Sequence, residues 1–544
     1  DLNLVESERL RVDGFDWTIS YLYDNHGNRK NVVYPGGGSL WYQPNALGQP
    51  QRVGVFATSI SFHPNGLYKS VTLKNGCVNT QTLHTSGYPN IQRSLCGTSN
   101  IVYNQYSYDG NGNITFWDDK QSNTYDLRLT YDGLDRLDNI RNGNNSLIGD
   151  LNYDSLGNIE KFDSIAGTIN YTYDANERLY STSGMRAYTF TYDDRGNVED
   201  NGFDSFTYNL ANEMRSASGN SYVYDGHGKR VKAVDSEGTR YSMYSLSGQL
   251  LYERINGAYR QNYYLGSQLI AHQGAGEQTF IHPDILGTTA GKTNSDGGLI
   301  KPLRYAPFGL EWGKTNASSG EDEIGYTGHK HDKSIGLTYM QARYYDPVIG
   351  RFYSNDPVDV FGHAQLEAET GFVHGFNRYS YVGNNPYKYT DPTGECRSNN
   401  GNSSNDCPVV EESFPESGTE ATIVEVNVAF GAAVSLEAGV VKDSQGNKGL
   451  QLSVQYGGGT PEASIEAGKE VTSAESISEL NGASGTQTVG GGEGAVASVS
   501  GIVAPTYKGG SITGGLGAGL PAGTSGGVEH TLVIPLPTQK KKSK

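Results

Sequence analysis

"LNYDSLGNI" (151–159) holds the rule by which most of this chain folds. Leu151 and Tyr153 stand two residues apart, so on an extended strand both face the same side. Asp154 opens a turn in which its carboxylate can accept backbone N–H groups. Gly157 and Asn158 tolerate the positive φ that a tight hairpin demands. Ile159 then starts a returning strand, "IEKFDS". Nine residues thus specify one end of a β-hairpin.

The unit recurs as "YLYDNHGNR" (21–29), "YSYDGNGN" (106–113), "LTYDGLDRL" (129–137), "YTYDANERL" (171–179), "FTYDDRGNV" (190–198), "FTYNLANEM" (206–214) and "YVYDGHGKR" (222–230). From Tyr108 the key tyrosines follow at 131, 153, 173, 192, 208 and 224, their spacing falling from 23 residues to 16. A lone hairpin cannot bury its own face in water, so each unit must be stabilised by its neighbours. Tyrosines and aspartates repeated this often read as packing and turn residues rather than as one site.

Composition agrees with an all-β chain. Its 544 residues exceed one core, which calls for at least two units. Only 35% are hydrophobic and 19% charged, and 72 Gly and 38 Tyr make up the difference. Tyrosine suits a half-wet sheet surface, and glycine without a collagen period signals turns. A net charge of −17 argues against a nucleic-acid partner. The one basic cluster, "KKKSK", reads as a solvated tail. No stretch approaches the ~20 apolar residues of a membrane-spanning helix. The chain opens on Asp1 with no signal-like segment behind it, and so reads as a fragment or a processed piece. Four cysteines fall as two sequence-local pairs, Cys77 with Cys96 and Cys396 with Cys407, open to disulfide bonding or to free thiols. Neither pair has the short spacing zinc prefers, and no metal or cofactor is expected.

Three longer blocks follow the repeats: "HPDILGTTAGKTNSDGGLIKPLRYAPFGL" (282–310), "GYTGHKHDKSIGLTYMQARYYDPVIGRFYSNDPV" (325–358) and "NRYSYVGNNPYKYTDPTGE" (377–395). With the preceding series they resemble the YD repeats and associated core of the RHS (rearrangement hot spot) family, over roughly residues 1–394. The resemblance implies a ribbon of β-hairpins coiled into a hollow shell, with the core segment sealing one end.

Asp-Pro steps at 346–347, 356–357 and 391–392 crowd this closing region. Proline supplies no ladder N–H and aspartate caps turns, so each step ends a strand. In many members of the family the closing motif, Pro-x-x-x-x-Asp-Pro-x-Gly-Leu, marks self-cleavage by an aspartyl-protease-like site. Pro386, Asp391, Pro392 and Gly394 match it, while Glu395 stands in place of the leucine. The implied junction lies between Glu395 and Cys396. Aspartyl chemistry needs two carboxylates that share a proton. Asp346, Asp356, Asp359 and Asp391 are the available acids; Asp391 with Asp356 is the pair named for that chemistry, while turn capping alone is the reading that local chemistry favours for these aspartates.

After Gly394 the tyrosine grammar stops. "CRSNNGNSSNDC" reads as a linker, and from "IVEVNVAFGAAVSLEAGVV" onward the chain alternates apolar with small or polar residues, as an antiparallel meander does. Its single histidine, His530, reads as a strand residue, and its glycine clusters lack a phosphate-loop ending. A soluble barrel or sandwich is the expectation, with a membrane pore as the competing reading.

These readings divide the chain into a repeat shell (1–260), a core segment closing it (261–394), a linker (395–421), a Gly-rich antiparallel β C-terminal domain (422–537) and a basic tail (538–544). The family implies a secreted or cell-surface polymorphic toxin whose shell encloses and delivers the C-terminal effector. Its expected partners are an immunity protein and a target membrane. The competing reading is a surface protein that binds glycan or a protein partner.

Overall fold

In a computed structural model, the structure describes residues 4–399, apart from 275, 320–322 and 359–376, and the backbone of eight strands between 419 and 535. Two compact units emerge: 1–357 with 377–407, and 358–376 with 408–544. The described residues are all-β, with short 3₁₀ turns as their only helical elements.

The first unit is built on one antiparallel ribbon. From Ser7–Val12 to Leu299–Pro302 each strand pairs with its sequence neighbours, in successive sheets of four, twelve, two and eleven strands. The opening nonapeptide shows how a unit works. Leu151 is 2% exposed and faces inward with Tyr153, while Asn152 faces solvent. Asp154 Oδ1 accepts the N–H groups of Leu156 (2.9 Å) and Asn158 (2.8 Å), and its Oδ2 accepts Asn158 Nδ2 (2.9 Å). Gly157 takes φ 75° between them. Tyr153 donates its hydroxyl to Leu137 O (2.6 Å), which lies in the preceding hairpin.

That last bond explains why the unit needs tyrosine rather than phenylalanine. Tyr108, Tyr131, Tyr173 and Tyr192 make the same reach, to Pro89 O, Ile114 O, Ile159 O and Leu179 O, at 2.7–2.9 Å. Each ring is half-buried and packs against the inner core while its tip ties one hairpin to the last. Tyr153→Phe is expected to lower stability by about 1 kcal/mol, the net worth of one such bond. A urea midpoint equal to that of the wild type would refute the role.

The ribbon curls until it meets itself. Trp17 packs edge-on against Tyr252 (4.9 Å), Phe56 stacks on Tyr263 (3.8 Å), Tyr34 donates to Asn262 O (2.9 Å), and Asn75 Nδ2 reaches Thr293 Oγ1 (2.9 Å). One buried core, with Ile19, Val32, Leu73, Leu265 and Phe280, joins these two passes. Cys77 and Cys96 form a disulfide across neighbouring strands here.

A second core lies where the middle of the ribbon wraps the closing segment. Leu129, Leu151, Ile159 and Ile169 of the ribbon pack with Phe308, Tyr339, Tyr345, Phe352 and Tyr381. The closing segment is also keyed to the row of hairpin turns. Lys388 Nζ donates to Asn111 O, Asn385 Nδ2 to Asn113 Oδ1 and Asp135 O, Asn384 Nδ2 to Gly157 O, and Tyr379 OH to Gly196 O. The boundary expected at 260/261 falls inside the strand Ala258–Leu265. The ribbon continues to Pro302 because later hairpins keep the same turn chemistry, as where Asp284 Oδ1 accepts the N–H groups of Leu286 and Thr288.

The second unit is a closed antiparallel barrel of eight strands: Thr419–Ala429, Ala433–Asp443, Lys448–Gly458, Glu462–Thr472, Gly482–Gly490, Gly494–Val503, Lys508–Gly519 and Gly523–Pro535. It is not the simple meander expected. The fourth strand crosses to pair with the first, and the eighth lies between the third and the fifth. Register pairs Val424 with Ala438, Val426 with Leu436 and Val428 with Val434 across the first two strands.

Candidate self-cleavage site

The hairpin Leu337–Met340 and Arg343–Asp346 turns through Gln341 and Ala342, with Gln341 at φ 60°. This turn faces the loop from Asp391 to Cys396 and holds its carbonyls one after another. Gln341 Nε2 donates to Pro392 O (2.9 Å), Ala342 N to Thr393 O (3.0 Å), and Arg343 Nε to Gly394 O. His329 Nε2 adds a second donor to Pro392 O (3.2 Å). Burial pushes His329 down to about 4, so it is a neutral imidazole at pH 7. Gly394 is required by this close approach: at φ 77°, a Cβ there would sit 2.1 Å from Met340 O.

The other side of the loop rests on a carboxylate. Asp391 Oδ1 accepts the N–H groups of Gly394 (2.8 Å), Glu395 (3.1 Å) and Cys396 (3.2 Å). Its Oδ2 accepts Arg343 Nη2 (3.0 Å), while Arg343 Nη1 meets Asp356 Oδ2 at 2.7 Å. Arg343 also lies 3.6 Å from the centre of the Phe352 ring. All three charged groups are buried. Burial pushes the Asp391 carboxyl up to about 6; Arg343 opposes the rise and Asp356 adds to it. Glu395 is raised by burial too, with Lys229 opposing and Asp356 adding.

Of the four acids in the closing region, the structure therefore brings Asp356 and Asp391 onto one guanidinium, beside the Glu395–Cys396 junction. Asp346 sits elsewhere as a turn residue, accepting Val348 N (2.8 Å) and the Tyr353 hydroxyl (2.9 Å). Asp359 and Cys407 lie outside the described residues. Pro386 lines a separate small cavity with Trp117, Asp284 and Tyr387. Cys396 is disulfide-bonded. Among the described residues, Cys77, Cys96 and His282 form a cluster of metal-ligand type, but both sulfurs are committed to the disulfide.

Sequence reasoning missed Arg343, Gln341, His329 and Lys229. One signal for Arg343 was available: two ionised carboxylates buried side by side need either a shared proton or a cation, and "QARYYDP" offers the cation.

Among known proteins, the Teneurin YD-shell family model matches residues 141–264 and 258–387. The chain is 26% identical over 307 residues to the tRNA3(Ser)-specific nuclease WapA of Bacillus spizizenii, a match covering 53% of this chain and 11% of the relative. It is 26% identical over 296 residues to Teneurin-1 of Gallus gallus (53% of this chain, 10% of the relative). With toxin subunit YenC2 of Yersinia entomophaga it shares 27% identity over 199 residues (32% of this chain, 19% of the relative). The crystal structure of TcdB2-TccC3 shares the fold, with a TM-score of 0.57 at 17% identity over 71% of this chain and 23% of that one. The chain thus spans only 10–19% of the length of these curated relatives.

Proposed function

Because this chain is a YD-repeat shell protein of the RHS type, related to toxin proteins, we propose that it is a delivery shell that cuts itself between Glu395 and Cys396 and frees its C-terminal β unit as the effector. The observation that carries this reading is Asp391. Its carboxylate is pinned to the junction's own N–H groups and shares Arg343 with Asp356.

The roles follow from geometry. Asp356 takes a proton from water as the water oxygen attacks the carbonyl carbon of Glu395. Asp391, when protonated, delivers its proton to the nitrogen of Cys396 as the C–N bond breaks. The products are a carboxyl group on Glu395 and an amine on Cys396; one water is consumed, and the proton that Asp356 takes replaces the one that Asp391 gives. Arg343 orients both carboxylates, and the carbonyl clamp at 392–394 holds the peptide still.

The test is the full chain on a reducing, denaturing gel. Wild type is expected as two fragments meeting at 395/396, and Asp391→Asn as one intact band. Wild type that remains intact overturns the reading. A pH series sharpens it. A carboxyl donor with a pKa of about 6 carries its proton below that value and is an idle carboxylate above it. Fragment appearance should therefore slow as pH rises through 6, by roughly tenfold per unit beyond it. A rate that climbs from pH 6 to 8 would remove Asp391 as the donor.

Disulfide bonding supports an extracellular or cell-surface setting. An effector freed within its producer would call for an immunity protein, and a target membrane remains the proposed barrier to cross. The glycan-binding alternative needs an outward row of repeat tyrosines. Those rings instead face inward, their hydroxyls bonded to the preceding hairpin.

A further inference from the structure

The Cys77–Cys96 disulfide ties two strands that already pair residue for residue, with Cα atoms 4.1 Å apart. It adds no covalent link between the two passes of the ribbon that meet there. The other pass nevertheless brings a third group to the sulfurs. His282 is fully buried on the strand Glu277–Pro283, and a ring nitrogen and both Sγ atoms all lie within 4.8 Å of one another. Thr293 Oγ1, at the end of the strand Thr289–Thr293, lies 2.9 Å from His282 Nε2 and 3.9 Å from Cys77 Sγ. The opposite nitrogen, Nδ1, sits 3.1 Å from Asn79 Oδ1. A turn of the same pass covers the cluster: a Cβ on Gly297 would stand 3.6 Å from Cys77 Sγ and 3.7 Å from Cys96 Cβ.

Two thiolates and an imidazole are a ligand set for zinc. In a tetrahedral zinc site two sulfurs stand about 3.8 Å apart, close to the van der Waals separation that the same sulfurs must reach once their bond is broken. Asn79 Oδ1 would accept the Nδ1 proton and so fix the tautomer that leaves the Nε2 lone pair for the metal. The Thr293 hydroxyl, beside both Nε2 and Cys77 Sγ, is placed to hold a water as the fourth ligand. The close cysteine spacing that flags zinc sites in a sequence is missing here for a structural reason. Cys77 and Cys96 are 19 residues apart, and His282 arrives from the other pass of the ribbon.

We propose that Cys77, Cys96 and His282 form a zinc site in the reduced protein, which the disulfide replaces in the oxidised one. A dithiol gives two electrons and two protons to the sulfur–sulfur bond and becomes a disulfide itself. The incoming divalent ion then displaces one proton from each thiol into solvent. In the reverse direction a disulfide oxidant takes two electrons from the two thiolates, the sulfur–sulfur bond forms, and the ion leaves. The ion would join the two passes of the ribbon across their seam, which the disulfide does not. This site is independent of self-cleavage at 395/396.

The experiment uses the full chain, purified under a phosphine reductant so that no added thiol competes for metal. Half of it is then oxidised, and free thiols are counted in both samples. Cobalt(II) is the probe. The reduced chain is expected to take up cobalt with a thiolate-to-cobalt charge-transfer band that zinc abolishes, and the oxidised chain to show no band. The band should survive Cys396→Ser with Cys407→Ser, and its loss in that variant would refute the site. Asn79→Ala should weaken cobalt binding about tenfold, and His282→Gln by more. No band in the reduced chain, or an unchanged affinity in His282→Gln, overturns the proposal. Because His282→Gln can itself disturb the seam, the unmutated chain supplies a second measurement. Zinc should raise the urea midpoint of the reduced chain and leave that of the oxidised chain where it was; equal shifts in both, or none in either, overturn the proposal.

Discussion

Arg343→Met is expected to abolish fragment formation and to lower stability by about 3–5 kcal/mol, the cost of removing one partner from a buried ion pair. The guanidinium, with 2% side-chain exposure, bonds two carboxylates and Gly394 O and lies over a ring face. Methionine replaces the bulk and none of the charge, so Asp356 and Asp391 would face each other with no cation between them. Lysine is no substitute, since one ammonium cannot reproduce a planar fork that reaches three acceptors. The penalty has a sign in pH. Asp391 already titrates near 6 because of burial, and the loss of Arg343 raises it further, so acid neutralises the repulsion. The gap between wild-type and variant urea midpoints should narrow as pH falls from 8 to 5. An unfolding free energy within about 0.5 kcal/mol of wild type at pH 8 would show that the carboxylates find another partner.

The second large effect is expected at Arg230, which joins the ribbon to the closing segment. Its Nη2 donates to Asp332 Oδ1 (2.9 Å), and its Nη1 to Asp332 Oδ2 and to the Tyr344 hydroxyl (2.8 Å). The faces of Tyr339 and Tyr222 lie 4.4 and 5.2 Å from the guanidinium carbon. Side-chain exposures of 4% and 1% leave the pair no water. Arg230→Met strands Asp332 in the core and should cost about 3–5 kcal/mol. Adding Asp332→Asn removes the uncompensated charge and should restore a large part of that loss. Urea unfolding of the single and double variants gives the answer. A double variant as unstable as the two single changes summed would mean that the residues act independently.

The two halves of the fold were unequally legible. Hairpin turns could be read from "LNYDSLGNI" because the Asp154–Asn158 bonds are local, closing within five residues. The inward face of Tyr153 was also readable, but the target of its hydroxyl was not, since Leu137 belongs to another hairpin. In the barrel, strict alternation marked the strands, whereas strand order is set by which edges meet, and alternation carries no record of that. At the site, the Asp-Pro steps exposed Asp356 and Asp391 as candidates. Arg343 lies 48 residues before Asp391, on the turn of a different hairpin, and a lone arginine in a sequence announces no partner. Lys229 was harder still, because it fills a standard slot in the repeat and differs only in where its side chain goes.

The closing segment meets the turns in reverse chain order: Lys388 at Asn111, Asn385 at Asp135, Asn384 at Gly157, Tyr379 at Gly196, and Gln341 at Lys229. Such a segment works as a ruler. A hairpin inserted between Asn111 and Lys229 would put every later mark out of step. In this chain, therefore, the stretch of wall measured by the closing segment has a fixed hairpin count.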